Sequence, residues 1–143
     1  MRYSYQYEPD DNGTWLITAP DFPEVTTFSE PDVQDAKRRA LDAIETAIQG
    51  RMTDRTRIPE GSPVRNDEEF FVPLPTSTVL KVRLHNAMLD AGIRKAELGR
   101  RLKWHAPQVD RLFAVEHETR LGQFDQAFRA LNREIDIIDR PIS

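Results

Sequence analysis

Along residues 2–8 apolar and polar positions alternate. Tyr3, Tyr5 and Tyr7 fall on one side, and Ser4, Gln6 and Glu8 on the other. A period of two predicts a half-buried strand. Asn12-Gly13 follows, a hairpin signal because both residues tolerate positive φ, and Trp15-Leu16-Ile17-Thr18 predicts the return strand. Pro20-Asp21-Phe22-Pro23-Glu24 predicts a loop that bends away, since neither proline can donate to a ladder. Val25 to Phe28 predicts a third strand. The period then lengthens. Val33, Ala36, Ala40, Leu41, Ile44, Ala47 and Ile48 recur at helical spacing. Asp32 stands as the cap, Asp35 adds charge near the helix's positive end, and Gly50 predicts the stop. Lys37, Arg38 and Arg39 lie mostly on the other side. Residues 51–68, polar and holding Pro59, Gly61 and Pro63, predict a loop. Phe70-Phe71-Val72 predicts a short fourth strand that Pro73 and Pro75 confine to a sheet edge or end. The front half thus reads β-β-β-α-β, and its crossover would make the strands on either side of the helix parallel neighbours.

The back half reads as helix. Leu80, Leu84, Ala87, Met88 and Ala91 line one helix, closed by Gly92, and Leu121, Phe124, Phe128 and Leu131 line the last. At the end Ile135 and Ile137 alternate with Asp136, which predicts a terminal strand. An isolated strand needs a ladder, and a second copy across a two-fold axis would supply one.

Between these helices lies RKAELGRRLKWHAPQVDRLF, residues 94–113, which reads as two short helices with a tight turn. Leu98 and Leu102 give the first an apolar face, and Gly99 sits between them where a crossing helix needs room. Trp104 falls in the turn, and Val109, Leu112 and Phe113 form the inward face of the second helix. His105, Ala106, Pro107, Gln108 and Arg111 are left near its outer face or first turn. A helix-turn-helix places such residues in the major groove. There Gln reads adenine and Arg reads guanine, each bidentately. Arg100, Arg101 and Lys103, with Lys95, are placed for phosphates. Three residues work against the pattern. Arg94 stands where a Ser or Thr cap would contribute about 1 kcal/mol. Gly99 costs up to about 1 kcal/mol of helix propensity, and Asp110 puts a negative charge on the reading helix.

Charge sharpens this division. The net charge of −4 hides 8 Lys and Arg against 15 Asp and Glu in residues 1–75, a net −7, and 12 against 9 in residues 76–143, a net +3. An acidic front half repels phosphate and suits a basic protein, while the other half can approach DNA. The expected domains are therefore 1–75 and 76–143. With 38% hydrophobic residues over 143, there is enough apolar material for two small cores. No run of 18 apolar residues and no apolar N-terminal stretch appear, and cysteine is absent, so a cytoplasmic protein without disulfides is expected.

Candidate chemistry is thin. His85, His105 and His117 are spaced too widely for a metal pair on one helix turn, and no metal or other cofactor is inferred. Asp10 and Asp11 sit where turns favour Asp, and Asp21 lies in a proline-bounded loop. Paired-metal hydrolysis needs several converging carboxylates. The three tyrosines follow a strand face and are assigned to sheet packing rather than base stacking.

The order of these segments resembles the HicB antitoxin family in its longer form with a helix-turn-helix tail. The resemblance runs through MRYSYQYEP, the GTWLITAPDFPEVTTFSEPDVQDAKRRALDAI stretch with its Pro20-Asp21-Phe22-Pro23 and Asp35-Ala36 steps, the bridge FFVPLPTSTVLKVRLHNAML and the tail. Glu24-Val25 departs from a frequent Gly-Cys, and Ser29-Glu30-Pro31-Asp32 is a longer cap than usual. The resemblance implies an α+β fold: an N-terminal partial ribonuclease-H-like sheet without catalytic carboxylates, then an all-α helix-turn-helix domain. It implies a non-enzymatic antitoxin of a type II toxin–antitoxin system. Such an antitoxin blocks a HicA-like mRNA ribonuclease by direct binding, represses its own operon through operator DNA, and forms homodimers or larger assemblies. On charge, Asp11, Asp21, Phe22 and Glu24 are the toxin-facing candidates. Two other readings stay open: a stand-alone helix-turn-helix regulator whose front half oligomerises or senses a ligand, and a degenerate or live nuclease.

Overall fold

A computed structural model describes residues 1–61, 70–139 and 141. The order is β1 (Arg2–Pro9), β2 (Trp15–Ala19), β3 (Phe22–Ser29), α1 (Val33–Thr53), β4 (Phe70–Pro73), α2 (Thr76–Ala91), α3 (Lys95–Leu102), α4 (Ala106–Arg111) and α5 (Leu121–Ala130). The fold is α+β. Its four strands stand in the order β3-β2-β1-β4, and every pairing is antiparallel. The strands flanking α1 therefore lie at opposite edges, not side by side. The reason is that β4 joins β1 (Tyr3 opposite Val72, Tyr5 opposite Phe70), whose free edge was still open after the β1–β2–β3 meander closed.

The β1–β2 connection is wider than a two-residue turn. Pro9 pairs with Trp15, Asp10 N–H donates to the Thr14 carbonyl at 2.8 Å, and only Gly13 takes a positive φ, 78°. The expected PDFPE loop is shorter than its prolines suggest. Ala19 pairs with Phe22 across a turn of Pro20-Asp21, and Pro23 lies within β3. Because β3 is an edge strand, a residue without an N–H is tolerated there. Tyr3 and Tyr5 are buried, whereas Tyr7 runs past the covered part of the sheet and stacks on Trp15 at 4.1 Å.

α1 covers one face of the sheet. Ala36 and Ala40, both small, let it approach Tyr5, Ile17 and Val72, while Ile44, Ile48 and Met52 continue the buried stripe. Asp32 accepts from Asp35 N–H at 3.2 Å, and the Asp35 carboxylate accepts from Glu30 N–H at 2.8 Å, so each acid satisfies a backbone donor at the helix start. The helix does not stop at Gly50. Met52 is buried and Arg51 is anchored, and this packing carries the chain through glycine to Thr53; Arg55 takes the left-handed position instead (φ 54°).

α2 is buried nearly all round and forms the hub. One apolar cluster runs from Tyr3, Phe22 and Ile48 through Leu80, Leu84 and Met88 to Leu98, Leu112, Phe124 and Leu131. Each fully buried Leu of this kind contributes about 1.5–3 kcal/mol. Ala91, expected on its apolar stripe, is exposed at the last turn, where Gly92 closes the helix in the left-handed region (φ 65°). Polar groups also stitch the front half to α2. Ile58, fully buried within the expected loop, exchanges both backbone bonds with the Asn86 amide (3.1 and 3.0 Å). Thr78 donates to Glu45 at 2.8 Å.

Leu121, expected in the core, is 61% exposed at the start of α5, and Phe124 takes the buried place three residues on. Residues 133–139 form no strand, and Ile138 is 90% exposed.

Candidate nucleic-acid interface and partner face

α3 and α4 are joined by Lys103, Trp104 and His105. Lys103 turns the chain with φ 59°, and Trp104 N–H donates to the Gly99 carbonyl at 3.0 Å. A Cβ on Gly99 would stand 3.3 Å from Val109 Cγ2 and 3.4 Å from the Trp104 carbonyl oxygen, so the turn and α4 pack tightly over the glycine. Val109, Leu112 and Phe113 point inward as their spacing predicts.

The remaining surface holds most of the expected residues. Lys95, Arg100, Lys103, His105 and Ala106 line one groove of about 490 Å³ between α3 and α4. Pro107, Gln108 and Arg111 are exposed on α4. Asp110 lies in the same groove and is paired with Lys95 at 3.3 Å, which neutralises the adverse charge on α4. The Gln108 side-chain oxygen accepts from His105 N–H at 2.9 Å and so caps α4. Arg100 and Arg101 both bind Glu97, at 2.8 and 3.3 Å, and these bonds hold the Glu97 carboxyl below its ordinary pKa. Arg101 also donates to the Ala130 carbonyl at 2.9 Å, so it points toward the end of α5. Arg94 offers no side-chain cap to α3.

Beneath α4 lies a residue the sequence pattern did not single out. Lys81 of α2 is fully buried, and its Nζ donates to the carbonyls of Arg111 (2.8 Å) and Ala114 (2.7 Å) and to Thr119 Oγ1 (2.9 Å). From the other side Gln49 of α1 donates to the Phe113 carbonyl at 2.9 Å and accepts from Val115 N–H at 2.8 Å. Lys81 fixes the end of α4 against α2, and Gln49 fixes the segment that follows against α1 of the front half.

The acidic candidates do not converge. Asp11 is in the β1–β2 hairpin, whereas Asp21 and Glu24 lie at the opposite end of β2, about 15 Å away at strand rise. The same separation keeps Asp10 and Asp11 from meeting Asp21, and no metal-holding group of His, Asp or Glu occurs among the described residues. Phe22 is withdrawn from the partner-facing set. It is 0% exposed, edge-on to Tyr3 at 4.9 Å, with the Arg51 guanidinium over its ring, because the tight Pro20-Asp21 turn folds it under α1. Glu24 binds Arg51 through both oxygens at 2.8 Å, which lowers its pKa. A concave acidic surface of about 900 Å³ also appears, lined by Asp42, Glu45, Asp54 and Glu116. On α1 its residues 42, 45, 46, 49, 50 and 53 follow one helical stripe, a signal present in the sequence. The segment 114–116 that closes it was not visible there.

The chain thus carries, on one shared core, a groove lined by Asp42, Glu45, Asp54 and Glu116 and another lined by Lys95, Arg100 and Lys103. A family model described as a HicB-like antitoxin of bacterial toxin–antitoxin systems matches residues 2–83. The chain is 34% identical over 135 residues to Antitoxin HicB of Pseudomonas fluorescens (94% of this chain, 91% of that one). It is 33% identical over 138 residues to Antitoxin HicB of Escherichia coli K12 (96% and 99%) and to Antitoxin HicB 2 of Photorhabdus laumondii (96% and 96%). The chain belongs to the HicB-like antitoxin family. No helix among the described residues is long and apolar enough to cross a membrane.

Proposed function

We propose that the protein neutralises a HicA-like ribonuclease toxin by covering it and represses its own operon by binding operator DNA as a dimer or larger assembly. The work divides near residue 75. The sheet and α1 are the partial ribonuclease-H-like toxin-binding module, and α3–α4 form a helix-turn-helix. The observation that carries the DNA half is the close crossing at Gly99, which leaves Ala106, Pro107, Gln108 and Arg111 outward on α4. Family membership and the acidic groove support the toxin half. A basic toxin is drawn to Asp42 and Glu116, and Asp11, Asp21 and Glu24 add negative charge elsewhere on the same half.

Arg111→Ala or Gln108→Ala is expected to weaken operator binding by about 1–3 kcal/mol for each base interaction removed, measured by gel shift, with toxin neutralisation retained. Unchanged operator affinity in both variants would move the reading helix elsewhere. Reversing charge with Asp42→Lys and Glu116→Lys is expected to slow toxin capture while operator binding persists; an unchanged capture rate would place the toxin on another face.

A further inference from the structure

We propose that the cavity where the end of α1, the middle of α2 and the start of α3 meet is a binding site for a phosphate group. The cavity has a volume of about 290 Å³. Arg55, Arg94 and Lys95 form its cationic wall, His85 its polar wall, and Met88 and Phe113 its apolar side. None of its lining residues is a carboxylate, whereas the groove beside α1 carries four: Asp42, Glu45, Asp54 and Glu116. In a chain of net charge −4, a concave site whose charges share the opposite sign focuses a field for an anion.

Two of those three cations are not spent on carboxylates of the protein. Neither Arg55 nor Arg94 forms a salt bridge among the described residues, and Arg55 reaches only the Ile93 carbonyl, at 3.5 Å. Lys95 has one carboxylate contact, Asp110 at 3.3 Å, and its side chain is half exposed. His85 is 5% exposed. Its Nε2–H donates to the Thr56 carbonyl at 2.7 Å, and its other ring nitrogen has no protein partner among the described residues. Two guanidinium forks and an ammonium match the several oxygens of a phosphate, which accept charge-assisted hydrogen bonds from them, and the His85 ring stands beside them as a reporter. The apolar side leaves room for the remainder of a phosphoester. Lys95 also lines the groove between α3 and α4, so the cavity opens beside the proposed DNA face. The bound group is either a nucleic-acid backbone phosphate or a free phosphate compound.

The test follows the His85 ring signal by NMR while inorganic phosphate is titrated into the full chain, with chloride at equal ionic strength as the reference. A saturable shift is expected, and Arg55→Gln and Arg94→Gln are each expected to weaken it about tenfold, the scale of one charge-assisted bond. Unmoved His105 and His117 signals in the variants report that the fold is kept. A shift no greater than chloride produces, or equal affinity in wild type and both variants, overturns the site. A short duplex and a nucleoside monophosphate then assign the source. If the duplex moves the His85 signal and inorganic phosphate competes, the ligand is backbone phosphate. If only the monophosphate moves it, the ligand is a free phosphoester. Because the first titration uses no nucleic acid, a phosphate site found there stands even if the DNA reading fails.

Discussion

Lys81 enters from α2 with its whole side chain buried and places its three protons on three acceptors from 111 to 119. Lys81→Met keeps the apolar stem but strands those acceptors, and a loss of about 2–4 kcal/mol in unfolding free energy is expected by denaturant titration. Burial also lowers the Lys81 pKa from 10.5 to about 8. Between those values the unfolded chain holds a proton that the folded one has released, so raising pH across that window favours the folded state. The stability of the wild type relative to Lys81→Met should therefore rise from about pH 8 to 10.5; a flat difference would mean the amine keeps its proton in the fold. Gly99 behaves differently, because its sequence neighbours announce it. A glycine between Leu98 and Leu102 on a short amphipathic helix signals a close crossing, and Gly99→Leu is expected to cost about 1–3 kcal/mol by overpacking against Val109. Lys81 was illegible because its partners lie 30 to 38 residues away, and a lysine next to Leu80 reads as a solvated position.

Elements with strong periodicity were legible: β1, β2, α1, α2 and the α3–α4 pair. Their ends were not, because packing decided them. α1 continues through Gly50 since Met52 has a place in the core, and β3 starts at Phe22 since an edge strand needs no donor from Pro23. Pairing partners were beyond reach for the same reason, as local pattern cannot show that β4 will close on β1. The link between α1 and the segment after α4 is one amide, Gln49, serving as donor and acceptor at once. Gln49→Ala leaves the Phe113 carbonyl and Val115 N–H without it, and a loss of about 1–3 kcal/mol is expected. Faster hydrogen exchange at Val115 would locate the effect; unchanged exchange there would show that the clamp is dispensable.

For the molecule as a whole, charge divides the chain near residue 75, yet the apolar cluster crosses that point without a break. The two tryptophans can report on this. Trp15 sits in the sheet and Trp104 in the α3–α4 turn. Fluorescence of Trp15→Phe and Trp104→Phe should give coincident unfolding midpoints once each variant's stability is accounted for. Separate midpoints would mean the halves melt independently. The candidate site was legible at its outward positions, because exposure follows from helical period. The Gln108 cap, the Lys95–Asp110 pair and the burial of Phe22 were not, because each depends on a neighbour brought in by the fold.

Glu97 holds Arg100, which lines the groove of the proposed DNA surface, and Arg101, which points toward the end of α5, and this shapes how such binding would respond to ionic strength. A cation already matched by its own protein releases fewer small ions from a duplex than its presence suggests. The slope of log affinity against log salt should therefore reflect Lys103 and Arg111 more than Arg100 and Arg101. In Glu97→Gln the slope should steepen by up to about one ion, that of Arg100, with tighter association in dilute buffer.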